Sequence, residues 1–202
     1  DMSPQVSTVP VVTWQLEDGS SPEAARIEVG GLSVPVDLSA GPPWEATILG
    51  LKPDQDLDLH VVAEVGGQTL TSAARVVETG TPPNDLPTPD VELLDEAAHA
   101  AGGYLVTSIF AAPPAAVILD SDGEYVWWSL AEDSDFQVSR AWLTEDRSEV
   151  MYWSANVENR DRIDQQLVRI AADGTELDSV ELPDGHHDFH VLADGTVAYL
   201  EY

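Results

Sequence analysis

Three of the chain's five histidines fall within five consecutive positions: His186, His187 and His190, with Asp188 among them. They belong to the run Gly185-His186-His187-Asp188-Phe189-His190, followed at once by Val191-Leu192-Ala193-Asp194-Gly195-Thr196. Imidazoles change charge near neutral pH, so such a cluster can serve as acid, base or nucleophile. A carboxylate such as Asp188 can orient a neighbouring ring through its second nitrogen. Metal binding is the competing chemistry. Asp184-Gly185 before the run and Asp194-Gly195 after it predict a β-hairpin. On a strand, residues four apart are separated by roughly 13 Å, so His186 and His190 share a face with Asp188 but not one zinc ion. His187 and Phe189 fall on the opposite face. The chain has no cysteine to assist a metal. Metal is thus disfavoured, and a catalytic role for His186, His187, Asp188 and His190 is one of two readings the residues leave open. The plainer alternative is that the histidines only hydrogen-bond turns.

The rest of the chain must position these groups. A length of 202 residues suits one large domain or two modest ones, and a hydrophobic content of 43% suffices for a packed core. The formal net charge of −29 opposes nucleic acid and anionic membranes as partners. No apolar run of about 18 residues predicts a membrane span. The acidic coat and the start at Asp1 rather than methionine point to a secreted, periplasmic or cell-surface protein. Calcium is the one cofactor the acid could attract, at Asp54, Asp56 and Asp58 or at Glu132-Asp133-Ser134-Asp135. Neither stretch has the spacing of an EF-hand loop.

Strand signals dominate residues 1–80. Val9–Leu16, Ala25–Val29, Leu32–Leu38, Trp44–Leu49, Leu57–Val65 and Leu70–Glu78 are β-branched, aromatic or alternating, and Gly30-Gly31 and Gly66-Gly67 supply turns. The pattern predicts a β-sandwich. With Trp14, the corner Gly50-Leu51-Lys52-Pro53 and a last strand closing at Thr79-Gly80, it resembles a fibronectin type III domain. Leu57 stands where that family carries a corner tyrosine, so the corner hydrogen bond must be absent or replaced. Trp44, beside Pro42-Pro43, reads as core or loop packing rather than an exposed binding aromatic, and His60 as a surface histidine. Residues 81–101 read as a linker, with four prolines in Thr81–Asp90, then a short helical turn over Leu93–Ala101 that carries His99.

A repeat appears over residues 102–202. Strand, Asp-Gly turn, strand recurs around Asp122-Gly123, Asp173-Gly174 and Asp194-Gly195, with a looser copy around Asp146-Arg147. The repeats predict β-propeller blades: Gly103–Ser129, Gln137–Leu182, and the start of a third over His187–Tyr202. The fold class is thus all-β, a sandwich followed by an incomplete propeller of about two and a half blades. A closed ring needs about four or more, so a second polypeptide or a further C-terminal part is expected to complete it.

A sandwich ahead of a propeller bearing Gly-His-His-Asp-Phe-His-Val-Leu-Ala-Asp-Gly-Thr resembles the PAPS-independent bacterial arylsulfotransferases. The resemblance implies a six-bladed propeller and transfer of a sulfuryl group between phenols through a sulfated histidine. It implies aryl sulfates and phenols as small-molecule partners. It maps His187-Asp188 onto the family's early channel histidine, which helps bind the sulfuryl group. The sulfated histidine, a further histidine and the sulfate-binding arginine would lie in later blades. Arg140, Arg160, Arg162 and Arg169 read as partners for the acidic surface. The alternative from a different class is a non-catalytic secreted scaffold for binding or assembly.

Overall fold

The computed structural model describes residues 1–92, 103–110, 113–131, 135–156, 165–192 and 194–201; of His186 and His187 the backbone alone is described. These residues form strands and no helix. The expected helical turn over Leu93–Ala101 and His99 lie outside them.

β1 (Val11–Trp14) pairs antiparallel with β4 (Trp44–Thr47). A second sheet runs in the order β3 (Leu32–Pro35), β2 (Ala24–Val29), β5 (Asp56–Val65), β6 (Gln68–Thr71), and β7 (Arg75–Glu78) also pairs with β5. The single strand expected over Leu70–Glu78 is two. β6 pairs with Val62–Val65 and β7 with Asp56–Leu59. Between them Ser72 interrupts the run: its hydroxyl accepts the Val61 N–H at 3.0 Å, a bond that a strand carbonyl would otherwise make. His60 Nδ1 lies 3.2 Å from the Ser72 carbonyl at the same break, on the exposed side.

Ile27, Val29, Val36, Trp44, Ile48, Leu51 and Leu59 form one buried cluster that draws on both sheets. Trp44 is core, as expected, with its ring centroid 4.7 Å from that of Trp14. At the Lys52-Pro53 corner the buried Thr79 hydroxyl donates to the Lys52 carbonyl at 2.7 Å and accepts from Gln55 N–H at 2.9 Å. Leu57 packs towards Gly30, where φ is +55° and an added Cβ would meet Leu51 and Leu57 methyls at 3.1 and 3.2 Å.

Three further sheets follow. The first is β8 (Tyr104–Ile109), β9 (Ala115–Asp120) and β10 (Tyr125–Leu130), in the order β10-β9-β8. The second runs in chain order through β11 (Phe136–Leu143), β12 (Glu149–Asn156), β13 (Gln165–Ala171) and β14 (Glu176–Glu181). The third is the pair β15 (Gly185–Val191) and β16 (Val197–Glu201). β11 neighbours both β8 and β15. The β9–β10, β13–β14 and β15–β16 turns share one construction. Gly123, Gly174 and Gly195 take φ of 83°, 86° and 82° and donate to Asp120, Ala171 and Leu192 carbonyls. In the looser copy Arg147 takes the left-handed position at φ 60°.

The first and second halves are joined tightly. Val6 and Val9 are fully buried in the cluster that holds Val117, Val126, Trp127, Val150 and Val168. Thr8 Oγ1 donates to the Val126 carbonyl at 2.8 Å, and Ser3 Oγ donates to the Asp173 carbonyl. The proline-rich segment is not a free spacer. Leu86 is buried in the same cluster, and the Tyr125 hydroxyl donates to the Pro87 carbonyl at 2.6 Å. The corner docks as well: Tyr104 hydroxyl donates to the Gly50 carbonyl at 3.2 Å.

Candidate functional site

β15 presents its two faces as its residue types require. Phe189 is 2% exposed and packs with Met151, Trp153, Leu167 and Leu182. Alternation then turns Asp188 and His190 to the other side, where both are exposed. There they line a cleft of about 310 Å³ with Arg140 of β11 and Ala198, Tyr199 and Leu200 of β16. The β15–β16 ladder is broken between Gly185 and Phe189, so His186, His187 and Asp188 lie where pairing is irregular. Such irregularities re-aim side chains beside binding sites.

Arg140 is the centre of the geometry. Its Nε lies 3.5 Å from Asp188 Oδ1, an ion-pair distance that is long for an aligned hydrogen bond. That Nε is buried and makes no hydrogen bond. The guanidinium carbon sits 5.7 Å from the centroid of Trp142, within cation–π range. His190 meets the same indole edge-on, at 5.4 Å between centroids and 86° between planes. On its other side Arg140 lines a cleft of about 500 Å³ with Val106, Thr107 and Ser108 of β8. A guanidinium with unused donor capacity can hold the oxygens of an anion, and a neighbouring imidazole can exchange a proton.

Of the four histidine-run residues named from sequence, Asp188 and His190 come together in this cleft. His186 and His187 lie on the same strand, with their side chains outside the description. Arg169 is the surface partner expected, with Nε and Nη2 to Glu149 carboxylate oxygens at 3.0 and 2.7 Å and Nη1 to Asp178 at 3.1 Å. Arg140 also meets an exposed acid, Asp188, and lines the cleft beside it. Its approach to Asp188, and that of Trp142 to His190, could not be read from the sequence, because both depend on β11 lying beside β15. The alternation Arg140-Ala141-Trp142 on one strand was the available signal. Arg160 and Arg162 lie outside the described residues.

The acidic residues gather elsewhere than expected. Among the described residues Asp54, Asp56 and Asp58 form no group within reach of one ion, whereas Asp120, Asp122 and Glu124 bring carboxylate oxygens within 4.8 Å of one another. The cation among them is the chain's one lysine. Lys52 Nζ lies 3.1, 2.6 and 2.5 Å from the three carboxylates. Hydrogen bonds to Asp122 first, then Glu124 and Asp120, hold its ammonium far above the ordinary lysine range. An ammonium thus sits among the three carboxylates. Of Glu132-Asp133-Ser134-Asp135, only Asp135 is described.

No known protein family matches the sequence, and no characterised protein is found to be similar to it.

Proposed function

We propose that this chain forms the amino-terminal part of an arylsulfotransferase-like protein. Its β1–β7 region is a β-sandwich over residues 1–80, and residues 81–101 connect it to the opening blades of a β-propeller over residues 102–202. The three successive sheets with neighbouring first strands support the propeller. The observation that carries the function is the convergence of Arg140, Asp188 and His190 on one cleft where β11 adjoins β15. In a chain of net charge −29, an anionic substrate needs such a local cation.

In the reaction, an imidazole nitrogen attacks the sulfur of an aryl sulfate. The S–O bond to the ring breaks, and the departing phenolate takes a proton. A second phenol then loses its proton as its oxygen takes the sulfuryl group and the N–S bond breaks. Arg140 and His187 hold sulfuryl oxygens, Asp188 orients an adjacent imidazole, and His190 exchanges protons. His186 stands at the head of the same strand. The nucleophilic histidine comes from blades supplied by further chain or a second polypeptide. The proposed setting is secreted or periplasmic, where an acidic surface keeps the protein soluble.

Phenol release from an aryl sulfate, with a phenol acceptor, tests this in the protein completed by its remaining blades. Retained activity in His187→Ala would show that residue wrongly assigned.

A second reading is a non-catalytic binding scaffold. It is favoured by the two-stranded third sheet, where Tyr199 and Leu200 are exposed on β16, whose one strand partner among the described residues is β15.

A further inference from the structure

The strand that carries the histidine run rests on a neighbour's side chain. Trp153 of β12 is 1% exposed, and its indole lies beneath the start of β15. A Cβ built on Gly185 would overlap Trp153 Cη2 and stand 2.9 Å from Cζ2, with the Leu182 carbonyl at 3.2 Å. The glycine is needed here for close approach, because no side chain fits between the strand and the ring. Asp184 just before it takes φ 55°, and Gly185 N–H donates to the Leu182 carbonyl at 3.1 Å, so the chain turns onto the ring. Two more contacts fix the hairpin to the same indole. Phe189 shares its buried cluster, and Tyr199 of β16 lies 6.4 Å from it between centroids. The β15–β16 ladder is interrupted between Gly185 and Phe189, so pairing within the hairpin does not set the height of residues 186–188.

We infer that the Gly185–Trp153 contact is the positioning device of the candidate site, fixing how far His186, His187 and Asp188 stand from Arg140. As a statement about function, it rests on the sulfuryl-transfer reading. As a statement about the strand, it does not. Trp153 touches no reacting atom; it acts through the strand it supports.

The test is a rescue cycle in the completed protein: Gly185→Ala, Trp153→Phe and the double variant. Phenylalanine lacks the ring edge that carries Cη2 and Cζ2, so it clears the space an added methyl needs. Gly185→Ala is expected to speed amide exchange of residues 186–191 by about tenfold or more, as overpacking costs dictate, while β9 and β13 are unaffected. The double variant is expected to return that exchange close to wild type. If wild type turns over an aryl sulfate, kcat is expected to fall in Gly185→Ala and recover in the double variant, with KM little changed. Unchanged exchange in Gly185→Ala, or no recovery in the double variant, overturns the positioning role. Absence of turnover in wild type overturns the functional reading, while the exchange pattern still decides the positioning. Should Gly185→Ala fail to fold, a folded double variant sustains the inference and an unfolded one overturns it.

Discussion

The Thr8 hydroxyl donates a 2.8 Å hydrogen bond to the carbonyl of Val126, across 118 positions of chain. Together with Val6 and Val9, it anchors the first ten residues to the core that holds Val117, Val126, Trp127, Val150 and Val168. Val9→Ala is expected to destabilise the whole chain by about 1–3 kcal/mol, through lost burial and a cavity. A single cooperative melt that shifts as one is the expected observation. Two separate transitions, with only the first shifted, would contradict this coupling.

Lys52 draws together Asp120, Asp122 and Glu124, and its side chain is 36% exposed, so solvent weakens each pair. Lys52→Ala is expected to cost about 1 kcal/mol at low salt, and less as ionic strength rises. Calcium is expected to leave the wild-type melting temperature unchanged, because the ammonium occupies the trio. In Lys52→Ala, calcium is expected to recover part of the loss. Thermal melts with and without calcium or chelator check both statements.

Arg147 adopts φ 60° where Gly123, Gly174 and Gly195 serve the equivalent turns. A non-glycine residue in that region carries strain. Arg147→Gly is expected to stabilise the protein by about 0.5–1 kcal/mol, measured by denaturant midpoint. A loss of stability would mean the arginine side chain makes contacts that outweigh the strain.

Acid should loosen the turns first. Asp146 is held below the ordinary carboxyl value of 3.8 chiefly by the Thr144 hydroxyl, then by the Ser148 N–H, and Asp194 chiefly by the Thr196 N–H. A carboxyl depressed in the folded state contributes stability that is complete above its unfolded value and is lost as pH falls through the folded value. Stability is therefore expected to hold from neutrality to about pH 4 and decline below it. Asp146→Asn combined with Asp194→Asn should flatten that decline in melts taken between neutrality and pH 3.

Local chemistry was legible in the sequence. The Asp-Gly turns, the Trp44 core position and the alternation that separates Phe189 from Asp188 and His190 are set by residues within a few positions of one another. What could not be read was contact at long range. Lys52 reaches residues about 70 positions ahead, and Thr8 reaches Val126. Arg140 meets Asp188 only because two sheets lie side by side. Ser72 shows a subtler failure: one hydroxyl, bonding the Val61 amide, divides a strand whose residue types read as continuous.

The proposed sulfuryl-transfer site takes its charge from Arg140, which lines one cleft with Asp188 and His190, His187 lying on the same strand as those two. This proposal is tested most directly by the rate of phenol release from an aryl sulfate in the completed protein, compared between wild type and Arg140→Ala. Measurable turnover in wild type, with a loss on the order of a hundredfold in the variant, is the expected result for removing a charged group from the transition state. Equal rates in the two proteins, or no release by wild type, would contradict it.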